Sequence, residues 1–486
     1  MAHSFFSAGA LVASLGVAAC SPAPAGPEDV SDADAAADGA GDAADDAGEI
    51  APSRPPFLMD ERGRSVHYLG VNVAESSKQA PDLLPPLTDD DYALLRSWGV
   101  TLVRFLIFWE GVEPERGVYD DAYLASVRVQ LDRLQSFGFD VLLDMHQDIW
   151  GRGFGFAGAP RWTCDESRYA AFRLQSPWFL NYMSPEVTAC FDGLWHDRAL
   201  WDRYRDAWTH AAGALGDHPA VIGFDLMNEP LPGTIGGAAF ERDYLASFYH
   251  HVGTALAGSA ASRGLFLEPS VSYDFSPRTF LPTFGAGEVF APHYYPASIS
   301  GGAYVGHEEE IAADLADVVG DAATLGAPLV LGEFGISNDA PDGPAYLSDV
   351  IDAILETGGS ALAWDFSRGG PGAFALLDAE GNPYPLAAAL DRPYVHRVTG
   401  TLVSTAYDRA TRTLETTWSD AGDAGGIVVA VPSGACTAEV TSATDPAGSW
   451  TVESDGGQRL SIVPAVASGI AVHTFRVRSV CPAGGP

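Results

Sequence analysis

Two glutamates at the ends of apolar runs carry the most suggestive chemistry in this chain. The stretch GFDLMNEP, Gly223 to Pro230, finishes on Asn228 and Glu229, and LVLGEF, Leu329 to Phe334, finishes around Glu333. Hydrolysis of a glycosidic bond with retention uses two carboxyl groups about 5 to 5.5 Å apart, one as acid/base and one as nucleophile. Glu229 and Glu333 are the natural candidates. Other apolar runs end near Arg104, His146 with Asp148, His293 with Tyr295, and Trp364. Arg, His, Tyr and Asn can hold one carboxylate ionised, keep the other protonated and bind the hydroxyl beside the reacting carbon. Trp364 offers an aromatic platform for a pyranose face. Glu268, followed by Pro269, reads as structural. One His and one Asp two residues apart are weak metal ligands, so neither metal nor organic cofactor is expected.

These residues need a scaffold that brings strand ends together. Eight short runs qualify as strands: 67–73, 101–109, 139–146, 221–228, 265–269, 288–295, 328–334 and 360–366. They are nearly continuous in apolar character, the pattern of strands buried on both faces. Helix-length segments lie between them: Asp89–Trp98, Ala122–Phe137, Leu200–Leu215, Ala238–Ala257, Glu308–Leu325 and Tyr346–Glu356. The fifth crossover lacks one. The pattern predicts an α/β fold, a (β/α)8 TIM barrel over 57–391, whose strand C-termini converge on one mouth. From 392 to 486 short strands alternate with turns, predicting an all-β sandwich that binds sugar or braces the barrel.

The formal net charge of −37 with no basic stripe argues against a nucleic-acid partner. Residues 1–20 form a short apolar signal-like segment, and Val17-Ala18-Ala19-Cys20 resembles a bacterial lipoprotein cleavage box, making Cys20 a lipidation site. An acidic Ala/Asp/Gly/Pro tether follows over 21–56. The expected protein is thus exported, anchored by lipid to a bacterial envelope or extracellular, and monomeric. The remaining cysteines form two local pairs, so disulfides Cys164–Cys190 and Cys436–Cys481 are expected in an oxidising compartment.

With GFDLMNEP and LVLGEFG, together with VRFLIFWEGVEP, DMHQD and APHYYP, the sequence resembles glycoside hydrolase family 5 of the retaining, clan A type. That resemblance implies Glu229 as acid/base, Glu333 as nucleophile and Asn228 on the sugar 2-hydroxyl. It also implies Tyr295 beside the nucleophile, with Arg104, His146 and His293 in support. Within the family the chain most resembles the endoglycoceramidase branch. GVNVAESSKQAPD carries a sugar-binding Lys78, DMHQDIWGRGFGFAGAPRW places Asp148 on the glycan, and RPYVHRVTG resembles the junction to a C-terminal β domain. The expected activity is release of oligosaccharide from ceramide in a glycolipid. A β-glucosidase or endoglucanase is the alternative, and a non-catalytic carbohydrate-binding protein is an alternative of another class. The insertion at 149–198 is rich in aromatic residues. It is expected to line a slot for a lipid aglycone or to form a self-packed cap stapled by Cys164–Cys190.

Overall fold

The computed structural model describes residues 54–481 apart from 177, 260–262, 300–301, 421–424, 434–435, 457 and 466–469. The expected signal segment, Cys20 and nearly all of the tether lie outside the described residues. Eight parallel strands form the centre: β1 (Leu69–Val73), β2 (Leu102–Ile107), β3 (Asp140–Met145), β4 (Val221–Asp225), β5 (Gly264–Leu267), β6 (Glu288–Tyr294), β7 (Val330–Phe334) and β8 (Ser360–Ala363). Each pairs with its sequence neighbour, and β8 pairs back onto β1. β6 closes the ring in two pieces: Glu288–Phe290 pairs with β5, and His293–Tyr294 pairs with β7. Pro292 divides them because it has no N–H to give, yet its carbonyl still accepts from Gly332 N–H at 2.8 Å. The result is the expected (β/α)8 barrel.

The crossovers follow local chemistry. Thr88 and Asp91 form a reciprocal capping box at the start of helix Asp89–Ser97, a device worth about 1 kcal/mol. Asp120 caps helix Asp121–Ser136 through Ala122 N–H and Tyr123 N–H. The segment expected as one helix over 238–257 begins at Gly237 and contains a wider π turn, Phe240–Leu245. Inside that turn the buried Glu241 accepts from Ser270 N–H at 2.8 Å and Thr279 Oγ at 2.9 Å, tying the helix to the loop after β5. That loop holds a short 3-10 turn, Val271–Phe275, where no long helix was expected.

The C-terminal domain is a two-sheet β-sandwich whose inner faces bury Val398, Leu402, Leu414, Trp418, Ile427, Phe475 and Val477. One of its sheets begins with Ser65–Val66, ahead of the barrel, paired antiparallel with Tyr394–Val398. The boundary at 392 therefore does not separate the sheets cleanly. Contacts between the domains fall where barrel strands start: Tyr394 OH meets Thr101 Oγ at 2.6 Å, Arg397 donates to Asp140 at 3.1 Å, and Arg459 donates to the Gly138 carbonyl at 3.0 Å. This is the stable face of such a barrel, opposite the mouth. Two buried histidines sit in the joint. His67 Nδ1 faces the Gly358 carbonyl at 2.8 Å, and His396 Nδ1 faces the His67 carbonyl at 3.0 Å. Burial pushes His67 down to about 4 and His396 well below its usual range, so both stay neutral donors.

Both expected disulfides are present, Cys164–Cys190 and Cys436–Cys481. The first closes a loop with a sequence separation of 26, a constraint worth about 3 kcal/mol in the chain-entropy view.

Candidate active site

Strand β4 stops at Asp225, so Asn228 and Glu229 lie just past its end rather than on it. The chain nevertheless stays extended, with Leu226 N–H donating to Phe266 O at 3.1 Å and Asn228 N–H to Met145 O at 3.2 Å. Gly223 permits this tight packing, since a Cβ there would lie 2.3 Å from the Phe266 ring. At Glu229 the backbone turns to φ +43°, a left-handed conformation that costs a non-glycine residue about 1 kcal/mol or more. Neighbours hold it there. Glu268 Oε2 accepts from Glu229 N–H at 2.7 Å, and Gln147 Nε2 donates to the carbonyls of Asn228 and Glu229 at 2.9 and 3.1 Å. Pro230 then leads the chain away.

Beneath the mouth, the fully buried Arg104 is surrounded by acids. Its guanidinium donates to Glu333 at 2.6 Å, Asp225 at 2.9 Å and Glu268 at 3.0 Å, and lies 3.1 Å from Asp144. It also donates to Asn72 Oδ1 at 3.0 Å and Asn228 Oδ1 at 2.9 Å. Burial alone would weaken its charge, but these carboxylates hold its pKa well above the usual value. The surplus of acid shows on Asp225, which burial and the Glu268 charge push well above the carboxylate range. Asp144, Asp225 and Glu268 sit close enough to bind a cation, and the guanidinium is that cation.

Glu229 and Glu333 face one imidazole. His293 Nδ1 lies 3.3 Å from Glu229 Oε1 and 3.7 Å from Glu333 Oε2, while its Nε2 lies 3.3 Å from Glu268 Oε1. One imidazole nitrogen thus brings the two carboxyl groups to a common point at the mouth, the facing pair that a two-carboxylate mechanism uses. Each carboxyl also has its own tyrosine. Tyr295 OH donates to Glu333 Oε2 at 2.8 Å, and Tyr182 OH donates to Glu229 Oε2 at 2.6 Å. Burial would lower His293, but Glu268, Glu333 and Glu229 hold it well above the usual histidine value. For Glu229, burial is outweighed by His293 and Tyr182, leaving it below the usual value. Glu333 is raised by burial and by the Glu229 charge, against His293 and Arg104.

A second cluster joins β1, β3 and β8. Lys78 Nζ lies 2.9 Å from Asp148, 3.0 Å from Glu75 and 4.5 Å from the Trp364 ring centre. The His146 ring stacks on Trp364 at 5.6 Å, with Nδ1 2.7 Å from Asp144 and Nε2 3.7 Å from Asp148. Burial would depress His146, yet Asp144 and Asp148 push it up to about 9. Despite burial, Lys78 and His146 hold Asp148 well below the carboxylate range. Every site residue expected from sequence within the described chain therefore gathers at this mouth: Lys78, Arg104, His146, Asp148, Asn228, Glu229, His293, Tyr295, Glu333 and Trp364.

The aromatic insertion is mostly self-packed, not an open aromatic surface. Trp150 packs on Phe191 at 5.0 Å, Phe154 on Tyr169 and Phe172 at 4.9 Å, and Phe156 on Trp178 at 4.8 Å. Trp150, Phe154, Tyr169, Phe191 and Trp195 are buried, whereas Leu174, Phe179 and Met183 are exposed. The sequence reading missed four polar neighbours: Tyr182, Asp144, Asp225 and Asp274. Asp144 and Asp225 had a usable signal, because an acid inside a strand buried on both faces demands an internal counter-charge. Tyr182, one aromatic among many in a long insertion, had none.

A closed parallel barrel with paired carboxyl groups, an arginine and an imidazole at its C-terminal mouth defines a glycosyl hydrolase scaffold. The Cellulase (glycosyl hydrolase family 5) profile matches residues 59–370, and the chain belongs to that family. It is 31% identical over 256 residues to endoglycoceramidase I of Rhodococcus hoagii, covering 49% of this chain and 51% of that protein. It is 30% identical over 257 residues to a glucosylceramidase of Cryptococcus neoformans, covering 40% and 35% respectively. The chain thus spans about half, or less, of the length of these curated relatives. The solved complex of endo-glycoceramidase II from Rhodococcus sp. with ganglioside GM3 superposes with a TM-score of 0.78 at 26% identity, over 88% of this chain and 100% of that one.

Proposed function

We propose that this protein is a retaining β-glycosidase that hydrolyses glycolipids, cutting between glycan and ceramide. The observation that carries it is the pair Glu229 and Glu333 facing one imidazole edge. Glu333 is the nucleophile: Arg104 and Tyr295 donate to its two oxygens and favour the anion, working against the burial and Glu229 charge that raise it. Glu229 is the acid/base. A sugar seated between the carboxyl groups excludes water and favours the protonated form of Glu229. The leaving oxygen then takes the proton as Glu333 bonds to the anomeric carbon, and a water deprotonated by Glu229 completes hydrolysis. Lys78, Asp148 and Asn228 bind glycan hydroxyls, and Trp364 supplies the ring platform. The glycolipid assignment draws on the endoglycoceramidase relatives and on the exposed apolar side chains Phe179 and Met183, in the turn whose Tyr182 reaches Glu229.

The test is product analysis on glycosphingolipids and aryl glycosides, with intact oligosaccharide as the expected release. Replacing Phe179 and Met183 by Ser is expected to lower kcat/KM on a ceramide-linked substrate roughly tenfold more than on a short aryl glycoside, the scale of one lost apolar contact. Lys78→Ala and Asp148→Ala are expected to weaken both substrates. Equal losses from the apolar variants would favour a β-glucosidase or endoglucanase, a reading that the self-packed cap supports because it leaves Phe179 as its most exposed aromatic ring.

We further propose that the mature chain starts at lipidated Cys20, is tethered to a bacterial envelope and acts as a monomer with the sandwich as a brace. Intact mass of envelope-derived protein reads this directly: the expected species begins at Cys20 and carries acyl chains, and an unmodified chain starting elsewhere would refute the anchor.

A further inference from the structure

We infer that Tyr182 is a positioning residue for the acid/base, setting its proton affinity at the oxygen that serves the leaving group; this rests on Glu229 having that role. Glu229 has two carboxyl oxygens with different surroundings. Oε1 is turned to His293 Nδ1 at 3.3 Å, among buried barrel groups. Oε2 accepts from Tyr182 OH at 2.6 Å. A general acid must reach the leaving oxygen within hydrogen-bond distance, and Oε2 is the oxygen turned away from His293. The Tyr182 hydroxyl therefore sits where, or beside where, the leaving oxygen is received.

The origin of Tyr182 separates it from the other groups around the carboxyl. His293, Glu268 and Asn228 come from barrel strands or the chain directly after them, whereas Tyr182 comes from the 3-10 turn Trp178–Met183 of the insertion. That turn presents Phe179 and Met183 to solvent, 46% and 63% exposed. One short turn thus joins an exposed apolar surface to the acid/base oxygen, so the group seated as aglycone meets both.

Several charges face Glu229: His293 from β6, Glu333 from β7, Asp148 after β3, and Asp274 and Glu268 after β5. Asp274 is held well above the carboxylate range by burial and by the Glu229 charge. Glu268 takes the Glu229 backbone N–H. Against these acids the Tyr182 hydrogen bond favours the ionised form, as a donor to a carboxylate does. Burial and the Glu229 charge hold the Tyr182 hydroxyl well above its usual pKa, so it remains a donor. A bond to an unactivated alcohol, such as a lipid hydroxyl, breaks only with proton donation. A dinitrophenolate leaves without it.

The experiment is the pH profile of kcat/KM for wild type, Tyr182→Phe and Glu229→Ala, each on an alkyl β-glycoside and a 2,4-dinitrophenyl β-glycoside. Tyr182→Phe removes a donor to the anion, so the acid/base pKa rises and the basic limb on the alkyl substrate moves up by about one pH unit. The dinitrophenyl profile shows no corresponding shift. An unmoved limb together with a lowered melting temperature would reduce Tyr182 to packing and overturn the inference. Glu229→Ala guards the underlying assignment: a loss much larger on the alkyl than on the dinitrophenyl substrate upholds it. Equal losses there would overturn the acid/base role itself, whatever Tyr182→Phe does.

Discussion

Replacing Glu333 by Ala is expected to eliminate turnover, with a loss on the order of 10^5-fold in kcat, because no covalent intermediate can form without the attacking carboxylate. The fold is expected to survive. Arg104 keeps Asp225, Glu268 and Asp144 as counter-charges and Asn72 as an acceptor. Four buried carboxyl groups surround this one guanidinium, and Asp225 among them is raised by burial and by the Glu268 charge, so removing one carboxylate relieves repulsion. The melting temperature should therefore hold or rise, the pattern of a residue kept for function at a cost in stability. Glu229→Ala tests the partner: azide fills the space left by the carboxyl, attacks the glycosyl-enzyme and restores part of the turnover on substrates with good leaving groups. NMR of the first-formed product should show retained β configuration. Inverted product, or full activity in Glu333→Ala, would remove the two-carboxylate assignment.

How much of this was legible in the sequence differs between layers. The barrel was readable because strands buried on both faces appear as unbroken apolar runs: seven of the strands fall within the expected segments, and β5 starts one residue early, at Gly264. Ends were less readable. The run through Asn228 continues past the sheet because Leu226 and Asn228 keep donating to neighbouring backbone, which apolar character alone does not distinguish from a strand. Glu229's left-handed turn is likewise invisible in composition, since it depends on Glu268 from the next strand end. Glu268 read as structural, and it acts as a support, but one that joins Arg104, His293 and the Glu229 backbone. The insertion stayed open between a lipid slot and a self-packed cap, because counting aromatic residues reveals apolar mass but not whether that mass turns inward. The Tyr182 contact needs a long excursion of the chain to arrive at one oxygen, and nothing local encodes it.

Replacing Arg104 by Met is expected to lower stability by about 3–5 kcal/mol at neutral pH, the usual cost of stripping the partner from buried charge. The size follows from what remains: Asp144, Asp225, Glu268 and Glu333, all buried and now without their shared cation. The sign of the pH dependence is the sharper expectation. Asp225 and Glu333 are already raised in the wild type, and without Arg104 they rise further above their unfolded values of about 4, so the native state binds more protons than the unfolded chain. Stability is then fully present in acid, where both states are protonated, and is lost as pH rises through the raised values. The wild type behaves differently at its acidic end, because His67 and His396 are neutral in the fold and must gain protons to unfold; that term favours unfolding as pH falls from about 6.5 towards 4. Arg104→Met retains those histidines, so they cancel in the comparison. The gap in melting temperature between variant and wild type should therefore narrow steadily from pH 8 to pH 4. A gap that stays constant across that range would mean that Arg104 stabilises the barrel by packing its side chain rather than by neutralising the acids beneath the mouth.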